Sequence, residues 1–276
     1  MQSKIILFPV LVLAVVLISG CTGFDQPTTN FGGLYVTFVS DPQQAAPGTN
    51  LRLKVAVENQ ADGEITDIKA NIIGPIKLEQ YSNKQLLKGQ KDFYTWGEDS
   101  LVRAHTDEIP MNFILRLKYN YKSASVSTVP IISQQEARRR RDNNQPYPVL
   151  TQSKVSGPVT INFESLNPVV VYDVGTEFPV RITLQNIGGG NVCSGVCTDE
   201  PDKTVKLKIK YDNTKLTLLD CDSTEEVELI DTNTLNCGFK TTYANAPDVS
   251  ADITLETDVE YWVEKTTSVQ IKKPTI

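Results

Sequence analysis

The second half of the chain contains four cysteines, Cys193, Cys197, Cys221 and Cys237. Four thiolates can bind zinc, but structural zinc sites usually carry paired C-x2-C motifs, and this chain has one C-x3-C motif followed by two single cysteines. The alternative is a pair of disulfides, for which four cysteines allow three pairings. Because each pair then flanks a local turn, we favour Cys193–Cys197 and Cys221–Cys237. We accordingly expect no metal and no cofactor, and a cysteine-based metal or redox protein is the alternative.

Other candidates for catalysis or metal binding are weaker. His105 is the only histidine, and no nucleophile and orienting partner accompany it in a recognisable pattern. We expect its neighbour Trp96 to fill the core. Two acidic clusters, residues 199–202 and 220–226, offer oxygen ligands for calcium but lack the 12-residue EF-hand spacing. The sequence therefore favours a protein that is not an enzyme.

Four consecutive arginines, Arg138, Arg139, Arg140 and Arg141, are followed by several Asn and Pro residues. This composition predicts an exposed hinge or loop within an Arg/Pro-rich linker, residues 134–158. Three interpretations remain open. The run is a solvated linker, a basic contact for anionic lipid headgroups or for an acidic partner (including the protein's own second half), or a protease processing site.

The N-terminus combines Lys4 with an apolar run, residues 5–18, that is shorter than a membrane span. The run ends in Ser19-Gly20-Cys21, which resembles the lipobox of prokaryotic lipoproteins, in which two small residues precede a cysteine. The resemblance implies that residues 1–20 are a signal peptide and that Cys21 carries lipid. Residues 21–33 then form a flexible tether, and the rest lies at the extracytoplasmic face of the cell membrane. An uncleaved anchor helix is the alternative.

Charge is distributed unevenly along the chain. Residues 34–133 contain 11 acidic and 11 basic side chains, whereas residues 159–276 contain 19 acidic and 10 basic ones. Nucleic-acid binding needs a clustered basic face, so this balance argues against a nucleic-acid partner. In residues 203–211, lysines alternate with Val205, Leu207 and Ile209, which predicts a strand with one buried face and one basic face.

Residues 48–63 and 175–190 match without a gap: each reads Gly-Thr, then apolar residues at every second position, then Asn and a Gly-containing turn. This is the pattern of a half-buried strand that ends in a tight turn. Five strands follow this pattern in residues 34–133 and about seven in residues 159–276. We therefore predict an all-β fold of two tandem antiparallel sandwiches, the second of which contains the four cysteines. Each is expected to close with two separate strands, at 113–119 and 126–132 in the first and at 253–259 and 267–271 in the second.

The repeated motif resembles the immunoglobulin-like modules of prokaryotic, possibly archaeal, surface proteins, most nearly the CARDB-type adhesion-related domains. The resemblance implies a non-catalytic spacer or interaction module and transfers no active-site residues. Combined with the lipobox, it predicts a lipid-anchored cell-surface protein for adhesion, cell-envelope structure or protein binding, with an unidentified protein or envelope partner. The alternative is an accessory extracytoplasmic subunit of a membrane secretion or transport complex.

Overall fold

The computed structural model describes residues 28–75, 78, 80–97, 102–103, 110–153, 155–193, 203–242 and 248–272. Within them, all regular structure is β-strand except one short helix. This confirms the predicted all-β sandwich fold. No helix in the described ranges has the length and apolar character that a membrane span requires.

The first half of the chain forms these elements: β1 (Thr28–Phe31), β2 (Leu34–Asp41), β3 (Gln44–Ala45), β4 (Asn50–Asn59), β5 (Glu64–Ile73), β6 (Tyr81–Leu86), β7 (Lys91–Trp96), β8 (Val102–Arg103), β9 (Met111–Ser133) and α1 (Gln134–Asp142). The second half forms these: β10 (Thr151–Gln152), β11 (Val159–Ser165), β12 (Val169–Val171), β13 (Glu177–Asn186), β14 (Asn191–Cys193), β15 (Thr204–Tyr211), β16 (Leu216–Leu219), β17 (Thr224–Glu228), β18 (Thr232–Thr241) and β19 (Asp248–Ile271).

Two long antiparallel strands, β9 and β19, form the centre of the molecule. They pair over 22 consecutive positions, from Ile132–Asp248 to Met111–Val269. At about 3.3 Å per residue this ribbon is about 70 Å long. It is the middle of a ten-stranded sheet with the order β17-β15-β19-β9-β5-β6, and the short strands β3, β10, β12 and β14 attach along its edges. We call this the central sheet.

Two smaller sheets cover the central sheet. The first cover sheet has the order β1-β2-β4-β7, with β8 beside β4, and the second has the order β11-β13-β18-β16. Every odd-numbered residue of β9 from Met111 to Ile131 is buried. Because alternate residues of a strand share one face, both cover sheets lie on the same face of the central sheet. The buried apolar residues of both halves form one continuous cluster.

The prediction of two closing strands in each half was wrong, because each pair is one unbroken strand. β9 lies beside β5 of the first half and then continues into the second half, where it pairs with β12. β19 lies beside β15 of the second half and then continues into the first half, where it pairs with β3. Residues 121–128 and 259–268 contain no Gly, Pro, Asn or Asp, so neither segment has the residues that a tight hairpin requires. Each sandwich is therefore completed by a strand from the other half.

The arginine run was predicted to be a loop, and it is helical. Ser133 caps α1, because its Oγ accepts a hydrogen bond of 3.2 Å from the backbone N–H of Glu136. Ser133 and Glu136 stand at the spacing of a capping box, a signal for a helix start in the sequence itself. The Asn- and Pro-containing segment after Asp142 has no helix or strand until β10 begins at Thr151.

The repeated motif has the same structural role in both halves. Asn59 donates from Nδ2 to the Gly63 carbonyl at 3.4 Å, and Asn186 donates from Nδ2 to the Gly190 carbonyl at 2.9 Å. Glycine stands four residues after each Asn: a Cβ at Gly63 would lie 2.6 Å from Cε2 of Tyr121, and a Cβ at Gly190 would lie 2.7 Å from Cε1 of Tyr261. The tight turn of the motif therefore needs glycine where an aromatic ring of the ribbon passes under it.

Candidate functional site

The cysteine prediction is confirmed for one pair. Cys221 and Cys237 form a disulfide with Cα atoms 5.5 Å apart, which joins the end of the β16 region to β18. Cys193 is also disulfide-bonded, whereas Cys197 lies outside the described residues. A four-thiolate zinc site would need the thiols of Cys221 and Cys237, and the disulfide consumes both.

Several other predicted site residues, namely Cys21, His105 and the acidic cluster at 199–202, fall outside the described residues. The second acidic cluster is described, and there Glu225 accepts a hydrogen bond from the backbone N–H of Asp222. Across the described ranges, no group of three or more His, Cys, Asp or Glu side chains is arranged to hold a metal ion. Trp96 is buried in the core, as we predicted from the sequence.

The arginine run divides into one structural residue and three exposed ones. Arg140 donates from Nε to Glu136 at 2.7 Å, from Nη1 to the Pro146 carbonyl at 2.8 Å, and from Nη2 to Asp248 at 2.8 Å. Its side chain is only 18% exposed. Since Asp248 begins β19, Arg140 joins α1 to the second half of the chain.

The three remaining arginines are exposed on α1. Arg139 pairs with Glu136 through two hydrogen bonds of 2.7 Å, and these bonds, together with that of Arg140, lower the pKa of Glu136 to about 2. Arg141 lies 3.5 Å from Asp142. Glu136 and Asp142 therefore offset two of the four arginine charges, and α1 keeps a net charge of +2.

Several exposed apolar side chains lie at the same end of the ribbon as α1, and the sequence patterns did not reveal them. Tyr172 and Val174 follow β12 and are 68% and 67% exposed. They lie beside the start of α1, because Val171 pairs with Ser133. Tyr147 donates from its hydroxyl to the carbonyl of Ala137 in α1. We define the distal surface as the exposed residues at this end of the ribbon: Arg138, Arg139, Arg141, Tyr147, Val149, Leu166, Tyr172 and Val174.

The predicted basic face of β15 is present but paired. Val205, Leu207 and Ile209 are buried, and Lys206 and Lys210 contact Glu226 and Glu256 at 3.7 and 2.5 Å. These carboxylates belong to the flanking strands β17 and β19, which lie on either side of β15. A shallow depression of about 560 Å³ lies beside them on the ribbon, lined by Lys122, Ser123, Ala124, Lys206, Lys208, Glu256, Thr257 and Asp258. Positive and negative side chains alternate along this face. Its electrostatic potential therefore does not favour a ligand of either charge.

No protein-family model matches this sequence, and no curated protein matches it. The structure itself defines the class of protein: an all-β protein whose two cover sheets share one continuous central sheet.

Proposed function

We propose that this protein is a non-catalytic, lipid-anchored cell-surface protein. In this proposal its tandem immunoglobulin-like sandwiches form a rigid spacer that presents the distal surface to another protein of the cell envelope. The observation that carries the proposal is the β9–β19 ribbon. Tandem domains usually move about a flexible linker. Here one strand pair with 22 consecutive residue pairs runs through both sandwiches, so bending between them would break backbone hydrogen bonds.

The position of Thr28, the first residue that the structure describes, supports a spacer role. Thr28 pairs with Thr37, next to Val36, whose carbonyl accepts a hydrogen bond from Nζ of Lys265. Lys265 in turn pairs with Leu115 of β9. From Leu115 to Ser133 the ribbon extends 18 residues, or about 60 Å. A lipid at Cys21 would therefore hold the first sandwich near the membrane, with the distal surface at the other end of the ribbon.

The composition of the distal surface supports a protein partner. Tyrosine and arginine are enriched at protein interfaces, and exposed apolar side chains become favourable there when a partner removes them from water. Two carboxylates reduce the net charge of α1 to +2. This reduced charge and the acidic excess of the second half argue against binding to an anionic membrane.

The lipid anchor is tested by intact mass of the full chain after expression in a prokaryote that processes lipoproteins. We expect a mature protein that begins at Cys21 and carries a lipid mass, and we expect C21S to leave the membrane fraction. An unmodified chain that retains residues 1–20 would overturn the anchor.

The distal surface is tested separately in the native membrane. A photo-crosslinking amino acid replaces Tyr172, and a matched control replaces Ile73, which is exposed in the first half. We expect a discrete protein adduct from position 172 alone, weakened by a Val174→Asp substitution. A membrane-embedded transport or secretion subunit in that adduct would favour the accessory-subunit alternative, and adducts with lipid alone would contradict a protein partner.

A further inference from the structure

The face of the central sheet that points away from the cover sheets, which we call the outer face, carries its charged side chains in columns. β9 and β15 contribute only basic residues to these columns, whereas β19 and β17 contribute only acidic ones. The basic columns are Arg116, Lys118 and Lys122 in β9 and Lys206, Lys208 and Lys210 in β15. The acidic columns are Asp248, Asp252, Glu256, Asp258, Glu260 and Glu264 in β19 and Glu226 and Glu228 in β17. In the order β9-β19-β15-β17 the sign of the charge therefore alternates from strand to strand.

Ion pairs join neighbouring columns across the outer face. They are Arg116–Glu264 at 2.9 Å and Lys122–Asp258 at 3.7 Å between β9 and β19, Lys210–Glu256 at 2.5 Å between β15 and β19, and Lys206–Glu226 at 3.7 Å between β15 and β17. Opposite charges on paired strands stabilise a sheet. The basic column of β15 lies between two acidic columns. The acidic column of β17 has a basic neighbour on one side only, because β17 is the edge strand of the sheet.

The segment around β17 holds negative charge that no basic column balances. Residues 220–231 contain six acidic side chains and no basic one. Among the residues that the structure describes, only Glu226 of these six forms an ion pair. We define the acidic edge as these six residues: Asp220, Asp222, Glu225, Glu226, Glu228 and Asp231. Ile230, which is 53% exposed, lies within the same segment, so the acidic edge also offers an apolar contact.

The backbone of β17 is open on the side away from β15. The N–H of Leu229 donates a hydrogen bond of 2.7 Å to the carbonyl of Lys203, next to β15. The odd-numbered residues of β17 therefore point their backbone groups towards β15. Because these groups alternate in direction along an antiparallel strand, Thr224, Glu226 and Glu228 point theirs outward.

Only one of these outward groups is already used by a described residue. The Glu228 carbonyl accepts a hydrogen bond of 2.7 Å from Nδ2 of Asn233. No described residue pairs with the backbone groups of Thr224 and Glu226 or with the N–H of Glu228. An unpaired strand edge is a template for another extended segment. The acidic edge thus combines unpaired backbone groups with unbalanced charge.

Charge determines which segment this edge accepts. A second copy of β17 would place glutamates opposite glutamates, and like charges directly opposite each other on paired strands are destabilising. Charged edges protect natural sheets against such self-association. A strand of the opposite charge meets no such repulsion and would continue the alternation of columns.

We propose that an extended protein segment with Lys or Arg at alternate positions binds the acidic edge as an added antiparallel strand. Its basic side chains lie opposite Glu226 and Glu228 on the outer face, and its backbone pairs with Thr224 and Glu226. β15, in which lysines alternate with apolar residues, shows that a strand of this composition fits beside β17. No residue of the acidic edge belongs to the distal surface, so this is a second and separate binding site.

A labelled peptide with the sequence of residues 204–211 is the probe, and it is added to the full chain in a non-ionic detergent. We expect fluorescence anisotropy to show saturable binding with a Kd below about 1 mM, weakened by added salt. E226K/E228K should weaken this binding about tenfold or more. The matched control E164K/E177K makes the same change in net charge at exposed residues of the second cover sheet. It should leave the affinity unchanged within about twofold.

A modified peptide tests the backbone pairing. Directly opposite residues of an antiparallel pair share a face, so the N–H groups of the peptide's lysines are those that would pair with β17. Methylation of these three backbone nitrogens keeps the positive charge but removes the donors, and it should abolish binding. A peptide with glutamate in place of the lysines should not bind either.

Four results would overturn the inference. They are no saturation up to about 1 mM peptide, equal binding of the methylated peptide, unchanged binding to E226K/E228K, and self-association of the chain that E226K/E228K abolishes. The last result would assign the edge to a second copy of the chain. None of them bears on lipid at Cys21 or on the adduct expected at Tyr172, so this test is separable from those of the proposed function.

Discussion

The hydroxyl of Tyr261 donates a hydrogen bond of 2.6 Å to Oδ1 of Asn186 and accepts one of 2.8 Å from the backbone N–H of Gly190. Tyr261 belongs to the ribbon and is fully buried, whereas Asn186 ends the repeated strand motif of the second half. This pair of contacts fastens the motif's turn to the central sheet.

Replacement of Tyr261 by Phe should therefore destabilise the protein, because Gly190 N–H loses its acceptor in a part-buried position. We expect a loss of about 1–3 kcal/mol in the free energy of unfolding, measured by urea denaturation. The control is Y172F, at an exposed tyrosine, which should change stability by less than about 0.5 kcal/mol. Equal effects of the two variants would contradict the role assigned to Tyr261.

Alkaline pH should also destabilise the fold. Burial raises the pKa of Tyr121 and of Tyr261 from 10.0 to about 12, against hydrogen bonds that lower it. A raised pKa in the folded state gives stability that is present below pH 10 and is lost as the pH rises from 10 to about 12. Each of these tyrosines should lower the free energy of unfolding by up to about 1.4 kcal/mol per pH unit in this range. Y121F should remove the contribution of Tyr121 to this slope. Denaturation midpoints between pH 9 and 11.5 measure this slope, and a flat profile would disprove it.

Arg140 should matter more to stability than its neighbours in the arginine run. R140Q removes the contacts to Glu136, Pro146 and Asp248 and should cost about 1–2 kcal/mol. R138Q is the matched control, since Arg138 is exposed, and it should be neutral within about 0.5 kcal/mol. If R138Q proved as damaging as R140Q, the structural role would not be specific to Arg140.

The shared ribbon should make the two halves unfold together. L53A in the first cover sheet and I182A in the second each remove a fully buried side chain and should each cost about 2–5 kcal/mol. Differential scanning calorimetry should show one transition that either substitution moves to lower temperature. Two transitions, each sensitive to only one substitution, would mean that the halves are independent domains.

Removal of the Cys221–Cys237 disulfide should lower stability. The bond closes a loop across 16 residues, for which the chain-entropy model gives about 3 kcal/mol. Unfolding of the C221S/C237S double variant by urea measures the loss. The reduced wild-type protein provides the comparison. The double variant should lose no more free energy of unfolding than the reduced wild-type protein does.

The sequence reveals much of the local structure, because alternating apolar residues specify which face of a strand is buried. The repeated strands, the role of Asn59 and Asn186 and the local pairing of Cys221 with Cys237 follow from short-range patterns. A capping box at Ser133 and Glu136 was also readable, although the adjacent Pro and Asn residues favoured a loop interpretation.

Long-range pairing decided the rest. The buried positions 123, 125 and 127 are serines, so the apolar alternation of the sequence is interrupted in the middle of β9. The absence of Gly, Pro, Asn and Asp from residues 121–128 was the one local signal against a hairpin there. Which strand completes each sandwich depends on register matches between residues more than 100 positions apart, such as Tyr119 with Tyr261. The partner of Arg140 and the distal surface arise from that pairing, because only tertiary structure brings these residues together.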